Sequence, residues 1–328
     1  MKVTYFYRPK NESANSIEAV FDIIKKSMPS DVWHTDFICT QKFKRFQSYF
    51  KARHFQGDIN HITGDIHIIA LFLKSKKTVV TIHDLGPIDR GFGGSVIKRK
   101  LFKFFWLTLP FKKVEQITTI SDFTKRKIIE TCKINPDKIV VIPNPAPLDF
   151  YYCPYTFNVT NPIILQIGSD DTKNLNRLIE AIKGTSFQLL LLRSPDDSIK
   201  KKLDAYNISY EWRFNLTREE VFECYKKCDV LFFASEYEGF GVPILEANAV
   251  GRPVVTSNIA SMPYVAGDAA ILVDPYNVEE IKKALKEIKD NAHLREQLIE
   301  RGIQNVKRFS PEEIAKKYYS VYKTILNQ

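Results

Sequence analysis

Residues 236–247 read Glu236-Tyr237-Glu238-Gly239-Phe240-Gly241-Val242-Pro243-Ile244-Leu245-Glu246-Ala247. The stretch joins two kinds of local structure. The run 229–233, apolar after Asp229, has the length and composition of a buried strand, and 243–249 reads as a helix. Gly239 and Gly241 allow backbone conformations closed to other residues and let a ligand come close to the chain. A helix starting on such a loop presents free N–H groups and the positive end of its dipole, an arrangement that receives phosphate. Glu238 falls on the loop and Glu246 inside the helix. Two acceptor-only carboxylates can hold a hydroxyl-rich ligand from separate directions. A sugar nucleotide offers that combination: sugar hydroxyls, ribose hydroxyls and a diphosphate between them.

Outward from this stretch the same alternation repeats. Downstream, 253–256 and 270–273 read as strands and 278–290 as a helix. Ser310 is placed to cap a last helix with Pro311 in its first turn. Upstream, strands are expected at 163–167 and 187–192, the second ending at Arg193, with helices at 174–183 and 219–227. The first half predicts strands at 2–7, 32–39, 59–62, 78–82, 116–120 and 139–142, with helices at 16–27 and from Ser121 to Cys132. Residues 148–161 are rich in Pro, Tyr and Asn and read as a linker. The expected division is 1–155 with 311–328, and 156–310. Two β/α series imply two doubly wound, Rossmann-like α/β domains facing across a cleft, with ligands outside the carboxyl ends of the strands.

Composition narrows the class. Of 328 residues, 44% are hydrophobic and 26% charged, which excludes collagen-like, coiled-coil and disordered chains. No stretch of about 18 apolar residues lacks charge, so no membrane-spanning helix is expected. The N-terminal apolar run is too short for a secretory signal, and a cytoplasmic location is expected. The five cysteines, Cys39, Cys132, Cys153, Cys224 and Cys228, lack metal-ligand spacing.

The net charge of +10 is lopsided: residues 1–157 carry 25 Lys/Arg and 14 Asp/Glu, residues 158–328 carry 23 and 24. The excess concentrates where cations interleave with large aromatics, at Lys42-Phe43-Lys44-Arg45-Phe46 through Lys51 and from Ile97 to Trp106, ending at Lys112-Lys113. Such stretches suit an anionic membrane surface, with rings at the acyl boundary and ammonium groups on lipid phosphates. The alternative is an amphipathic helix whose rings pack on the core. No nucleic-acid motif accompanies the charge, and no nucleic-acid partner is expected.

The spacing Glu238-x7-Glu246 around Gly-Phe-Gly-x-Pro resembles the signature of retaining glycosyltransferases of the GT-B fold, family 4 (group 1). Gly251-Arg252-Pro253-Val254-Val255-Thr256-Ser257, Ala266-Gly267-Asp268-Ala269-Ala270, Val273-Asp274-Pro275, Thr81-Ile82-His83-Asp84, Thr119-Ile120-Ser121-Asp122 and Lys173-Asn174 match the same pattern in order. The resemblance implies that Glu238 holds donor-sugar hydroxyls near the reacting carbon and Glu246 the ribose. The backbone of Phe240, Gly241, Val242 and Pro243 would meet the diphosphate and sugar. Lys173 would neutralise the leaving diphosphate, with Gly168, Ser169 and Asn174 beside it, and His83 would act at the reacting face. Arg193 and Arg213, near strand ends, are further donor-binding candidates. Arg8, Asp84, His61 and His67 are acceptor-side candidates. No metal or other cofactor is expected. The last helix would cross back onto the first domain.

Departures from the pattern are visible. Gly168 is followed by Ser169-Asp170-Asp171, where relatives carry arginine. Asn11-Glu12-Ser13-Ala14-Asn15 replaces a glycine-rich loop, and Asn144-Pro145 replaces Asn-Gly. The expected function is transfer of a sugar from a UDP- or GDP-sugar to a glycan or lipid-linked glycan hydroxyl, in bacterial surface polysaccharide or lipopolysaccharide assembly, at the inner face of the cell membrane. The alternatives are a soluble glucan or small-molecule transferase, an epimerase, or a non-catalytic membrane-associated adaptor.

Overall fold

The computed structural model describes residues 1–9, 16–40, 45–85, 96–168 and 171–327. The chain forms two compact units, Met1–Pro145 with Ser310–Gln328, and Ala146–Phe309.

The first unit is built on β1 (Lys2–Tyr7), β2 (Trp33–Ile38), β3 (Ile59–Ile62), β4 (Thr78–Ile82), β5 (Gln116–Thr119) and β6 (Ile139–Val141). These pair in parallel in the order β2-β1-β3-β4-β5-β6. β4, Thr-Val-Val-Thr-Ile, is buried along its length, as expected of a central strand covered on both faces. Around the sheet lie α1 (Ser16–Lys26), α2 (Arg45–Ala52), α3 (Val96–Lys103), a π-helical turn at Phe104–Thr108, α4 (Leu109–Lys113) and α5 (Asp122–Cys132). Ser121 caps α5 by accepting the Thr124 N–H. Phe6, Ile62, Val80, Phe111 and Ile117 form one core layer, and Val3, Tyr5, Phe21 and Val79 another.

The second unit holds β7 (Ile163–Ile167), α6 (Leu175–Ile182), β8 (Gln188–Leu192), α7 (Asp197–Ala205), β9 (Tyr210–Arg213), α8 (Arg218–Lys227), β10 (Val230–Phe233), α9 (Val242–Val250), β11 (Val254–Ser257), α10 (Met262–Ala266), β12 (Ile271–Val273), α11 (Val278–Asp290) and α12 (Ala292–Lys307). Its parallel sheet runs β12-β11-β10-β7-β8-β9. The final helix, α13 (Pro311–Leu326), belongs to the first unit, where Ile314, Tyr318 and Tyr322 pack with Val3 and Tyr5. Ser310 caps it, accepting the Glu313 N–H at 3.2 Å.

Two differences from the sequence reading have physical causes. The divide falls after Pro145 rather than Tyr155, because residues 146–155 are tied to the second unit. The Ala146 N–H donates to the Phe309 carbonyl at 2.7 Å, Phe150 packs edge-on against Phe222 and Tyr225, and the Cys153 N–H donates to the Val250 carbonyl. Pro, Tyr and Asn read as a linker, but here the aromatics are anchors. Helix α7 carries no apolar stripe beyond Ile199 and Leu203, and the charged surface hid it from the periodicity.

Each sheet reverses its strand order once, between β1 and β3 in the first and between β7 and β10 in the second. Parallel α/β sheets bind ligands at the carboxyl ends of strands flanking such a reversal. Among the described residues, no helix is long and apolar enough to cross a membrane.

Candidate active site

In the second unit the loops after β7 and β10 meet. Gly168 ends β7 with φ +81°, and a Cβ there would lie 2.9 Å from Cγ of Lys173. Glycine is therefore required twice, by the backbone and by the lysine stem laid across it. Lys173 Nζ donates to Glu238 Oε1 and lies 5.5 Å from the centre of the Phe233 ring. Both partners of this pair are partly exposed. The loop carrying Glu238 is pinned from below: Ser261 Oγ lies 3.0 Å from the Glu238 carbonyl and 2.6 Å from that of Phe240. Gly241, at φ +114°, caps α9, whose first turn contains Val242 and Pro243. The Phe240 ring is buried against Phe309, so only its backbone can meet a ligand.

Asn174 takes a left-handed conformation at the start of α6. Its amide donates to the carbonyls of Ala234 and Pro275, and its oxygen accepts from Arg177. It braces the site from behind, so direct contact between its side chain and donor is not what the structure places there. Ser169 lies outside the described residues, as do residues 11–15 of the first loop and Lys42–Lys44 of the first basic stretch.

Glu246 is buried on α9. Tyr225 donates its hydroxyl to Oε2 at 2.7 Å, and Arg218 donates to Oε1. Burial and the adjacent carboxylate raise the Tyr225 phenol well above its ordinary range, so it stays a donor. Arg218 is further held by Asp149, with Nε 2.7 Å from Oδ2, and its guanidinium lies 4.3 Å from the Phe150 ring centre. Asp149, Arg218 and Tyr225 were not picked out from the sequence. One signal was present: Arg218 and Tyr225 are seven apart, two turns on one helix face.

Arg193 is exposed at the end of β8. Arg213 ends the edge strand β9 and is engaged by Glu211, Nε to Oε1 at 2.7 Å, while Lys227 takes the other Glu211 oxygen. The structure thus places Arg213 in a cluster of its own, apart from the Lys173–Glu238 pair.

In the first unit, residues following β1, β3 and β4 come together. The His83 Nε2–H donates to the Thr63 carbonyl at 3.0 Å, leaving Nδ1 as an acceptor. Desolvation pushes this imidazole down to about 4, so it is neutral near pH 7. A neutral ring can hydrogen-bond but cannot neutralise charge. Arg8 is oriented by Glu18 of α1, Nε to Oε1 at 3.2 Å, and Asp84 is exposed beside the imidazole.

Two acceptor-side assignments are corrected. His61 is fully buried, and its ring nitrogens are bonded to the Tyr322 hydroxyl at 2.6 Å and to Thr81 Oγ1 at 2.7 Å. It lies on β3, whose four residues are all buried, and its ring faces the aromatic residues Tyr318 and Tyr322 of α13. His67 is also buried, packed against Trp106 and Phe111. Neither can touch an acceptor. Among the described residues, no group of three or more His, Cys, Asp or Glu is placed to hold a metal ion.

Two Rossmann-like units, the second with a Lys–Glu pair on its strand-end loops and a buried second glutamate on the helix that follows, define a GT-B fold. Residues 154–305 match the family model described as glycosyl transferases group 1, and residues 29–150 match that of glycosyltransferase family 4. The chain belongs to this family of glycosyltransferases. It is 29% identical to O-antigen chain mannosyltransferase B of Escherichia coli over 76% of this chain and 71% of that protein. A longer relative, the Escherichia coli serotype-specific mannosyltransferase WbdA, is 26% identical over 67% of this chain and 30% of its own length. The crystal structure of Anabaena HepE in complex with UDP-glucose superposes with a TM-score of 0.80 at 12% identity, covering 98% of this chain and 99% of that one.

Proposed function

We propose that the protein transfers a sugar, mannose in the first instance, from a UDP- or GDP-sugar to a hydroxyl of a glycan or lipid-linked glycan, with retention of configuration and without a metal ion. The observation that carries this reading is the Lys173–Glu238 pair, set at the strand reversal beside the amino end of α9, with Glu246 buried about one turn into that helix. Glu238 accepts the hydroxyls of the donor sugar. Lys173 moves onto the diphosphate, and the N–H groups opening α9 face the same oxygens. The bond between the anomeric carbon and the phosphate oxygen breaks, and the diphosphate keeps the electron pair. The acceptor oxygen bonds the anomeric carbon on the same face, and its proton passes to the departing phosphate oxygen. Stabilising the growing phosphate charge is the main catalytic contribution, and Lys173 supplies a cation for it. The O-antigen relatives named above support mannose and surface polysaccharide assembly.

The test is incubation with UDP- and GDP-hexoses and glycan acceptors in the presence of a chelator. The expected result is equimolar nucleoside diphosphate and glycosylated product from one donor, with the donor's anomeric configuration kept in the NMR couplings. Inversion or a divalent-ion requirement would overturn those parts of the reading. Absence of transfer from every donor would overturn the whole.

The acceptor side of this reading places the protein on the cytoplasmic face of an anionic membrane. Along the helical run 96–113, Ile97, Leu101, Phe104 and Phe105 are 70%, 53%, 46% and 53% exposed. Their spacing of four, seven and eight residues makes one stripe. Leu107 and Phe111 on the other side are buried, and Trp106 stacks on Phe102. Exposed Lys100 and Lys112 accompany the stripe. The buried face packs on the core, and the exposed stripe supports the membrane reading. Changing Leu101 and Phe105 to Glu is expected to abolish flotation with phosphatidylglycerol-containing vesicles, whereas no flotation of the unaltered protein would end the membrane proposal.

A further inference from the structure

The half-exposed guanidinium of Arg218 is more constrained than a surface arginine. One edge grips Asp149, with Nε and Nη2 at 2.7 and 3.3 Å from the two carboxylate oxygens. Its face lies on Phe150, and its remaining nitrogen, Nη1, donates to Oε1 of Glu246. Phe150 is itself buried against Phe222 and Tyr225. The planar group is therefore fixed in rotation and in tilt.

This matters for what Glu246 can accept. An ionised carboxylate offers about four lone-pair directions. Arg218 occupies one on Oε1, and Tyr225 occupies one on Oε2. One direction per oxygen remains, room for one further donor on each. A cis-diol presents two O–H donors with matching separation. A buried carboxylate held by only one of these neighbours could turn about its last bond, and its open directions would diverge from a diol.

We propose that Arg218 is a positioning residue for the ribose of the donor, acting through Glu246. The inference rests on the reading of Glu246 as the ribose ligand. A lysine at the position would supply the charge without the planar fork. Asp149 acts one step further out, by locking the far edge of the guanidinium.

The experiment measures dissociation constants and donor KM for a nucleoside diphosphate or its sugar conjugate, against the 2′-deoxy and 3′-deoxy analogues. The unaltered protein is expected to favour the ribo form by about ten- to a hundredfold, the scale of a lost hydrogen bond to a charged group. Arg218→Met is expected to lose most of that preference, with the effect falling on KM more than on kcat. Arg218→Lys should recover only part of it. Asp149→Asn, which touches Glu246 nowhere in the structure, should reduce it by a smaller factor. Melting temperatures of all variants report folding, and Arg218→Lys keeps the test open should the methionine variant not fold.

The outcomes separate the two ideas. If Glu246→Gln abolishes the ribo preference and Arg218→Met leaves it intact, the role given to Arg218 is wrong. If Glu246→Gln also leaves it intact, the ribose reading of Glu246 is wrong, and the inference goes with it. Loss of the preference in both variants, with melting temperatures kept, supports both.

Discussion

Replacing Glu238 with alanine is expected to lower kcat/KM for sugar transfer by about a hundred- to a thousandfold, the range found when one preorganised stabilising group is removed. Glu238 is aimed by its surroundings. Its backbone carbonyl is held by Ser261, and its carboxylate meets Lys173, whose stem lies on Gly168. On the proposed reading, alanine there removes the acceptor for the donor-sugar hydroxyls, and it leaves the lysine without its partner. Lys173→Ala should cost a comparable factor by withdrawing the cation from the departing diphosphate. Because the two side chains pair directly, the double variant should fall well short of the product of the single losses. The folded state should be nearly unaffected, since a partly exposed ion pair contributes little to stability. Steady-state kinetics with thermal unfolding alongside checks this. A Glu238→Ala enzyme within tenfold of the unaltered rate would remove that residue from the chemistry.

Replacing Arg252 with methionine is expected to destabilise the second unit by about 3 kcal/mol or more, since it takes the donor from several buried carbonyls, each worth about 1–3 kcal/mol where water cannot reach. Arg252 is almost completely buried, and its partners are carbonyls rather than a carboxylate. Nε donates to Cys228 at 3.0 Å, Nη1 to Cys153 and Val250 at 3.0 Å, and Nη2 to Lys226 at 2.9 Å. Lys226 and Cys228 lie at the carboxyl end of α8, and Val250 lies at that of α9. One cation thus satisfies the unpaired carbonyls at the negative ends of two helices. The guanidinium also lies 3.7 Å from the Tyr155 ring centre, tying down the segment after Pro145. Methionine fills much of the volume but takes a donor from five carbonyls, of which that of Val250 keeps the Cys153 N–H. Natural domains have only about 5–15 kcal/mol to lose, so the transition in calorimetry or denaturant should shift visibly. A cost below about 1 kcal/mol would show that water can replace the guanidinium.

Arg252 also shows where the sequence was legible and where it was not. The run Gly251-Arg252-Pro253 was recognisable as a pattern, but its meaning depends on carbonyls up to 99 positions away. Local signals were reliable because their physics is local. The caps Ser121 and Ser310, the buried strand β4 and the glycine-bearing loop before α9 all follow from nearest neighbours in the chain. Glu238 and Glu246 were placed on loop and helix for the same reason. Arg218 was not, because its contact with Glu246 spans 28 positions and its own neighbourhood reads as an ordinary charged helix start. His61 shows the opposite error. It stands on a strand and was taken to face a ligand, whereas α13, arriving from the end of the chain, covers it. A strand residue's surroundings are set by what packs on the sheet, and that is a long-range property.

The most direct test of the account is calorimetric titration of the protein with UDP and with GDP, repeated on Lys173→Ala and Glu246→Ala. The account predicts that one of the two nucleotides binds, raising thermal stability with concentration as a ligand of the folded state must, and that each substitution weakens it by about tenfold or more, the value of a lost charge-assisted contact. Failure of both nucleotides to bind, or binding that neither substitution changes, would contradict it.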